Sequence, residues 1–417
     1  MPSASSTSIR TAAAEAVRMC RALAQCSEEP GFTTRTCLSN PMRDVHLRLG
    51  AWMTRAGMSV HVDAIGNLHG AYPAVGADAP RLFIGSHLDT VPRAGAFDGV
   101  LGVVLAIALI DLLDGERFPF AIEVIAFSDE EGIRFGVPFL GSRALSGTLD
   151  ESLLAVRDAR GISLREAIRD FGLDPSRVGD VAVRNALAYL ELHIEQGPVL
   201  EALKRPIAVV DVIVGQTRAD VAFAGSAAHA GATPMNSRRD ALAGAAEWIG
   251  LVERDASTTA GLVATVGCLS LEPGASNVIA GRCSATLDVR HVDDGTRGAA
   301  VARLARSGEV VAARRGLDLG WSVRLDQRSV SMDSALTGVL SEAAAVDGRP
   351  VPRISSGAGH DAMILAHVMP VAMLLLRNPA GLSHHPDEAV DEDDVAMALL
   401  AGQRFLDEFA RSRRWSI

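Results

Sequence analysis

The sequence predicts an α/β fold, a mostly parallel sheet with a smaller α+β unit inserted into it, on three observations. Residues 81–85 and 121–128 are short apolar runs rich in Ile, Val and Phe, as strands buried on both faces of a parallel sheet require. A helix-length apolar stretch, residues 100–113, stands between them, which gives the order of a βαβ unit. Near Ile213 the character changes to segments that alternate apolar and polar residues, the pattern of an antiparallel sheet covered on one face.

Residues 11–24 carry apolar side chains at helical spacing and predict an N-terminal helix, and residues 41–57 repeat that pattern. Residues 59–68 alternate and turn at Gly66-Asn67. Residues 164–171 predict a helix, and residues 188–194 another short buried strand ending in charged groups. Beyond Ile213, residues 214–223 and 283–289 alternate. Residues 239–254 between them predict a long amphipathic helix, with Arg239 and Asp240 expected to pair at its start. After Ser329 the chain returns to helix and buried strand, residues 371–376 being the clearest core strand. The expected organisation is a split catalytic domain, residues 1–212 and 328–417, around an insert, residues 213–327.

With 417 residues the chain exceeds the roughly 250–300 at which single cores stop growing, so two domains are expected. A net charge of −10 argues against nucleic acid as a partner, because phosphate binding needs a basic surface. With only 4% aromatic residues, a base-stacking platform is equally disfavoured. The stretch 100–113 is broken by Gly102 and Asp111 and is too short to cross a bilayer, and the Ser-rich residues 1–10 lack an apolar signal core. A cytoplasmic protein with no membrane partner is the expectation. Cys20, Cys26, Cys37, Cys268 and Cys283 are odd in number and form no CxxC pair, which predicts reduced, mostly buried thiols.

The chemistry-bearing residues stand just after the predicted strands. A hydrolytic divalent-metal site needs fixed ligands, an open position for water and a base to deprotonate it. His87 offers an imidazole ligand, with Asp89 two residues on as the carboxylate that orients it. Asp98 lies in the Gly-rich stretch Gly95-Ala96-Phe97-Asp98-Gly99, and its two oxygens can bridge two metals. Of Glu130 and Glu131, one can bind metal while the other acts as base. His193 again ends a strand, and His384 precedes His385-Pro386. Singly, each such residue is more often structural: an acidic pair at a helix start, or a polar turn. Their joint occurrence after buried strands favours the metal site.

Six ordered segments, GSHLDTVPRAGAFDGVLGV, SDEEGIRFGVPFLGSRALSG, ELHIEQGPVLE, GSAAHAGATPMNSRRDA, SGAGHDAM and GLSHHPDE, resemble the motifs of the hydantoinase/carbamoylase amidases across nearly the whole chain. That family belongs to the dinuclear zinc aminoacylases and carboxypeptidase-like hydrolases. The resemblance implies a two-metal catalytic domain, an inserted lid or dimerisation domain, and a homodimer. It implies that His87, Asp98 and His193 hold one divalent ion and that Asp98, Glu131 and His384 hold the other, with Glu130 as general base. The ions would be Zn or Mn, with Co or Ni also accepted by nitrogen and oxygen ligands.

It further implies that His229 donates to a developing oxyanion, reaching the neighbouring subunit's site. Ala228 departs from the asparagine many relatives carry before this histidine, which puts one supporting contact in doubt. Asn277 and Arg290 match substrate-binding positions, Arg290 gripping a carboxylate with its fork unless a salt bridge to Asp288 or Asp293 occupies it. Gln196 and Gly359 in the 357–360 loop are expected to line the same pocket.

The implied substrate is a small ureido carboxylate. Residues 214–218 and Leu376-Arg377 are similar to segments of allantoate amidohydrolases, while N-carbamoyl-L-amino acid hydrolases and β-ureidopropionase share the catalytic positions. An exopeptidase or deacylase with the same metals is disfavoured by His193, where many of those relatives carry an acidic ligand. A non-catalytic binding protein that keeps the fold would be expected to have lost a ligand or the base, and every position is filled.

Overall fold

The computed structural model describes residues 6–345 and 349–412. The chain divides into two compact units: Met1–Asp211 with Met332–Ile417, and Val212–Ser331.

The first unit is built on a mixed sheet whose centre is parallel. Strand Arg81–His87 lies between Ala121–Phe127 and Ala186–Ile194, and Val371–Leu376 follows on the far side, all four running the same way. Antiparallel strands flank this parallel centre, Ser59–Val62 and Leu68–Tyr72 on one side and Ile207–Ile213 on the other. The four central strands are buried almost throughout, which explains why they lack the alternation of the edge strand Ser59–Val62.

Helix Val100–Leu112 crosses between the first two parallel strands and is buried all round from Val100 to Ile110, so it has no polar face to show in sequence. Gly102 is what lets it approach: a Cβ there would fall 1.9 Å from the carbonyl oxygen of Leu192. Helices Ser6–Ala24, Asn40–Arg55 and Glu392–Arg411 add to the same core. Because the central strands are parallel, His87, Ser128 and His193 all arrive at one end of the sheet.

The second unit is a four-stranded antiparallel sheet in the order Asp318–Gln327, Gly215–Ala224, Arg282–His291, Val263–Glu272. Arg282–His291 buries every second side chain, Cys283, Ala285, Leu287 and Val289 among them. That face packs on helices Ala241–Thr258 and Asp294–Arg315, where the indole of Trp248 donates to the carbonyl of Leu304 at 3.0 Å. The expected pair at the start of the first of these helices is not formed. Asp240 instead caps it, accepting from Leu242 and Ala243 at 3.0 and 3.1 Å, and Arg239 reaches Asp318 at 3.2 Å.

Cys20, Cys26, Cys37 and Cys283 are buried free thiols, and Cys268 is an exposed one. Among the described residues no helix is long and apolar enough to cross a membrane. Part of the Ser-rich opening stretch lies outside the described residues.

Candidate metal centre

Strand ends deliver the first candidate ligands. His87 closes one parallel strand and His193 lies one residue before the end of the next, both almost fully buried. Their Nδ1 atoms lie 3.0 Å from the Asp89 carbonyl and 2.9 Å from the Ile194 carbonyl. A carbonyl can only accept, so in the neutral rings each Nδ1 carries the proton and each Nε2 turns a lone pair inward. The two Nε2 atoms face each other at 3.4 Å.

Asp98 stands between two sets of groups. Its Oδ1 is 3.8 Å from His87 Nε2 and 3.3 Å from His193 Nε2, while its Oδ2 is 3.2 Å from His384 Nε2. His384 Nε2 is in turn 3.5 Å from Glu131 Oε1. Donor atoms of His87, Asp98 and His193 lie within 4.8 Å of one another, and so do those of Asp98, Glu131 and His384. A third such group, His87 with Glu130 and Glu131, sets Glu130 beside the same space.

The loop carrying the two glutamates is fixed from below. Asp89 is 1% exposed and accepts the N–H of Glu130 at 2.9 Å and of Glu131 at 3.1 Å on its two oxygens. It also sits 3.5 Å from His87 Nδ1, so one buried carboxylate lies against the His87 ring and holds both glutamates. Residues 129–139 form a loop rather than a helix start, which removes the macrodipole account of the acidic pair.

The electrostatics favour a cation. Burial raises the Glu130 carboxyl well above its usual range, and Glu131, Asp361 and Asp89 add to this against the pull of His87. Burial and Asp98 push Glu131 up to about 7. Burial lowers His193 to about 4 despite Asp98. At His87 burial is outweighed by the Asp89 hydrogen bond and by the charges of Glu130, Asp89 and Asp98, and its pKa stands well above the ordinary value. The pocket thus draws positive charge onto the nearest nitrogen. With the His87 proton displaced by an ion, two inward lone pairs, a carboxylate with both oxygens turned to separate groups and an excess of buried acids fit two divalent ions held by N and O donors.

Gln196 and Gly359 are in the same region. The amide Nε2 of Gln196 lies 3.2 and 3.1 Å from the two oxygens of Asp98, and its backbone N–H donates to Asn378 Oδ1 at 3.0 Å. A Cβ on Gly359 would meet the Phe139 ring at 3.0 Å and lie 3.8 Å from Glu130 Oε1, so the bare glycine leaves room beside Glu130.

His229, Asn277 and Arg290 belong to the second unit. His229 Nδ1 accepts the N–H groups of Gly231 and Ala232 at 3.0 and 3.1 Å, so the exposed ring carries its proton on Nε2, as an oxyanion donor requires. Its neighbour Ala230 donates to the carbonyl of Asn277 at 3.0 Å, which brings the two residues together. Arg290 is gripped by Asp288 through Nε at 2.8 Å and an Nη at 3.0 Å. The carboxylate expected from a substrate is therefore matched here by one of the chain's own.

Sequence reasoning passed over three buried groups around the centre. Arg35, 0% exposed, donates Nε–H to the carbonyl of Leu88 at 2.8 Å and so holds the peptide between His87 and Asp89. Glu191 accepts from the backbone of Ala362 at 2.9 Å and lies 3.3 Å from Ser86 Oγ. Glu388 sits against the Asp98 loop. Only Glu191 and Glu388 carried a signal, each being an acid inside a segment that also supplies a ligand.

Residues 83–408 match the family described as Peptidase family M20/M25/M40. The chain is 38% identical to allantoate deiminase 2 of Glycine max, over 95% of this chain and 89% of that protein. It is also 38% identical to the N-carbamoyl-L-amino acid amidohydrolase of Geobacillus stearothermophilus, over 90% and 93%. The solved structure of a hydantoinase/carbamoylase-family amidase from Burkholderia multivorans superposes with a TM-score of 0.88 at 34% identity, covering 95% of this chain and 97% of that one.

Proposed function

Because the chain belongs to peptidase family M20/M25/M40, we propose that its metal centre hydrolyses a C–N bond of a ureido carboxylate, allantoate before others. The observation that carries the reading is Asp98, whose two oxygens each face their own set of ligand groups. In this reading His87, Asp98 and His193 hold one ion, and Asp98, Glu131 and His384 the other. Zinc or manganese would fill both places, supplying Lewis-acid polarisation of the carbonyl and a lowered pKa for the attacking water.

The protein's own groups then divide the work. Glu130 takes a proton from the attacking water and returns it to the leaving nitrogen. His229, donating from Nε2, steadies the negative charge that develops on the carbonyl oxygen. Arg290 would bind the substrate carboxylate by exchanging it for that of Asp288, which holds its fork in the free chain, with Asn277, Gln196 and the backbone at Gly359 fixing the ureido end. Breaking the terminal C–N bond releases ammonia and leaves a carbamate, which loses carbon dioxide to give the amine. The unit Val212–Ser331 would serve as lid and dimerisation domain of a cytoplasmic homodimer, with His229 entering the neighbouring subunit's site.

Allantoate is placed ahead of N-carbamoyl-L-amino acids because residues 214–218, GQTR within them, are similar to segments of allantoate amidohydrolases. A second ureido group also rewards polar contacts, and Gln216 has a buried Oε1 with no hydrogen-bond partner on the strand beside Arg290. The deciding experiment is ammonia release from allantoate, N-carbamoyl-L-amino acids and β-ureidopropionate, each with Zn and with Mn restored. Turnover of none of them would overturn the ureido reading, and preference for an N-carbamoyl amino acid would overturn the choice of allantoate.

A further inference from the structure

The segment that provides His384 also provides an acid buried more deeply than the histidine itself. Glu388 is 6% exposed. Its Oε1 accepts two successive backbone N–H groups, those of Phe97 at 2.9 Å and Asp98 at 3.0 Å. Its Oε2 lies 3.3 Å from Ser383 Oγ, which is 3.4 Å from Asp98 Oδ2, so one hydroxyl is shared between the two carboxylates.

The sequence around Asp98 is shaped to admit these neighbours. A Cβ on Gly95 would fall 2.3 Å from the Cβ of Glu388, and a Cβ on Gly99 would fall 2.4 Å from the His87 ring. The two glycines flanking Asp98 therefore make room for one side chain each. Gly99 also takes a φ of +66°, a conformation glycine adopts without strain.

We infer that Glu388 is a positioning residue of the metal centre: it fixes the main chain of Asp98 and ties that loop to the segment bearing His384. The bridging carboxylate then has its direction set by its own peptide, and the two ligand sets that share it keep one frame. A carboxyl oxygen suits this task because it accepts two N–H groups at once, and a buried N–H left unpaired is costly. Glu388 contacts neither ion nor substrate in this account, which rests on the two-metal reading above.

Metal affinity is the readout. The full-length chain, stripped by chelation and titrated with Zn²⁺ against a chromogenic chelator, should take up two equivalents. Uptake of none would overturn the two-metal reading and this inference together. Given two, Glu388→Ala should weaken uptake about 10–100-fold, the usual effect of removing a group that orients metal ligands. Glu388→Gln keeps an oxygen acceptor and should recover most of that affinity. Glu388→Met keeps the volume without the acceptor and should bind as weakly as Glu388→Ala. If Glu388→Ala fails to fold, the Gln and Met variants carry the comparison. Wild-type affinity in Glu388→Met, or a Glu388→Gln as weak as Glu388→Met, would overturn the positioning role while leaving the two-metal reading in place.

Discussion

The sheet of the first unit carries two clusters of histidine and carboxylate, and they are finished differently. At the ends of the parallel strands, His87 and His193 turn their Nε2 atoms toward each other and Asp98 divides its oxygens between separate groups. In the other cluster His69 has a carboxylate on each nitrogen, Glu123 at 2.6 Å and Asp63 at 3.1 Å, and Arg81 completes Glu123 at 2.9 Å. His61 stacks on His69 with ring centroids 4.6 Å apart. The second cluster closes its own charges: each donor meets an acceptor. The first crowds His87, His193, His384, Asp98, Glu130 and Glu131 around one space, with an excess of buried acids that the Gln196 amide and the Ser383 hydroxyl do not neutralise. That difference separates a site built for a cation from a buried salt bridge, although the residue types are the same.

The largest effect that would test this contrast is at the base. Glu130→Gln should lower kcat by about 10²–10⁴-fold while two equivalents of metal remain bound, measured by ammonia release alongside metal analysis. Wild-type turnover would remove Glu130 from the mechanism. The closed cluster should answer in stability instead. His69→Gln removes the cation between Glu123 and Asp63, which keep Arg81 and the Ile65 and Asn67 N–H groups, and we expect it to cost about 1–3 kcal/mol in denaturant unfolding with metal uptake unchanged. Loss of metal in that variant would mean the two clusters are not independent.

Next comes metal removal. Chelation should lower the Tm of the wild type, since saturation at about 100 times Kd is worth roughly 2.7 kcal/mol. It should leave the Tm of His193→Ala much less changed, because that variant has already lost a ligand. The smallest effect is in pH. His69 is held at about 9 by its two carboxylate hydrogen bonds, which overcome its burial. Its folded pKa lies above the unfolded value of about 6.5, so its stabilisation is complete below that and is lost as pH rises through about 9. The wild type should therefore weaken across that window, and a His69→Gln variant showing the same slope would assign the loss to another group.

The parts legible in the sequence are those set by local pattern. His87 and His193 close apolar runs too short for helices, so their arrival at one end of a parallel sheet follows from the strands themselves. A change of period near Ile213 is the sequence signal for the insert expected at residues 213–327; the second compact unit spans Val212–Ser331. The division of ligands between two ions came from resemblance; spacing alone left open which of Glu130 and Glu131 is base. What the sequence hid depends on contacts between distant segments. Glu388 and Asp98 lie far apart in the chain, Arg35 reaches Leu88 through the core, and Arg239 chose Asp318 over its neighbour Asp240. No periodicity encodes such pairings, since each is decided by where two independent backbones pass.

The junction between the units has a consequence for how the molecule folds and for what can be removed from it. The chain leaves the first unit at Asp211 and returns at Met332, and the N–H of Met332 donates to the carbonyl of Asp211 at 2.9 Å. From the viewpoint of the first unit, the whole insert is one excursion whose two feet touch. The entropy of closing such an excursion rises only with the logarithm of its length. A short turn could span the same feet, and the parallel sheet would meet no gap. Shortening the insert would therefore leave the order of the parallel strands unchanged, while removing His229, Asn277 and Arg290 along with it.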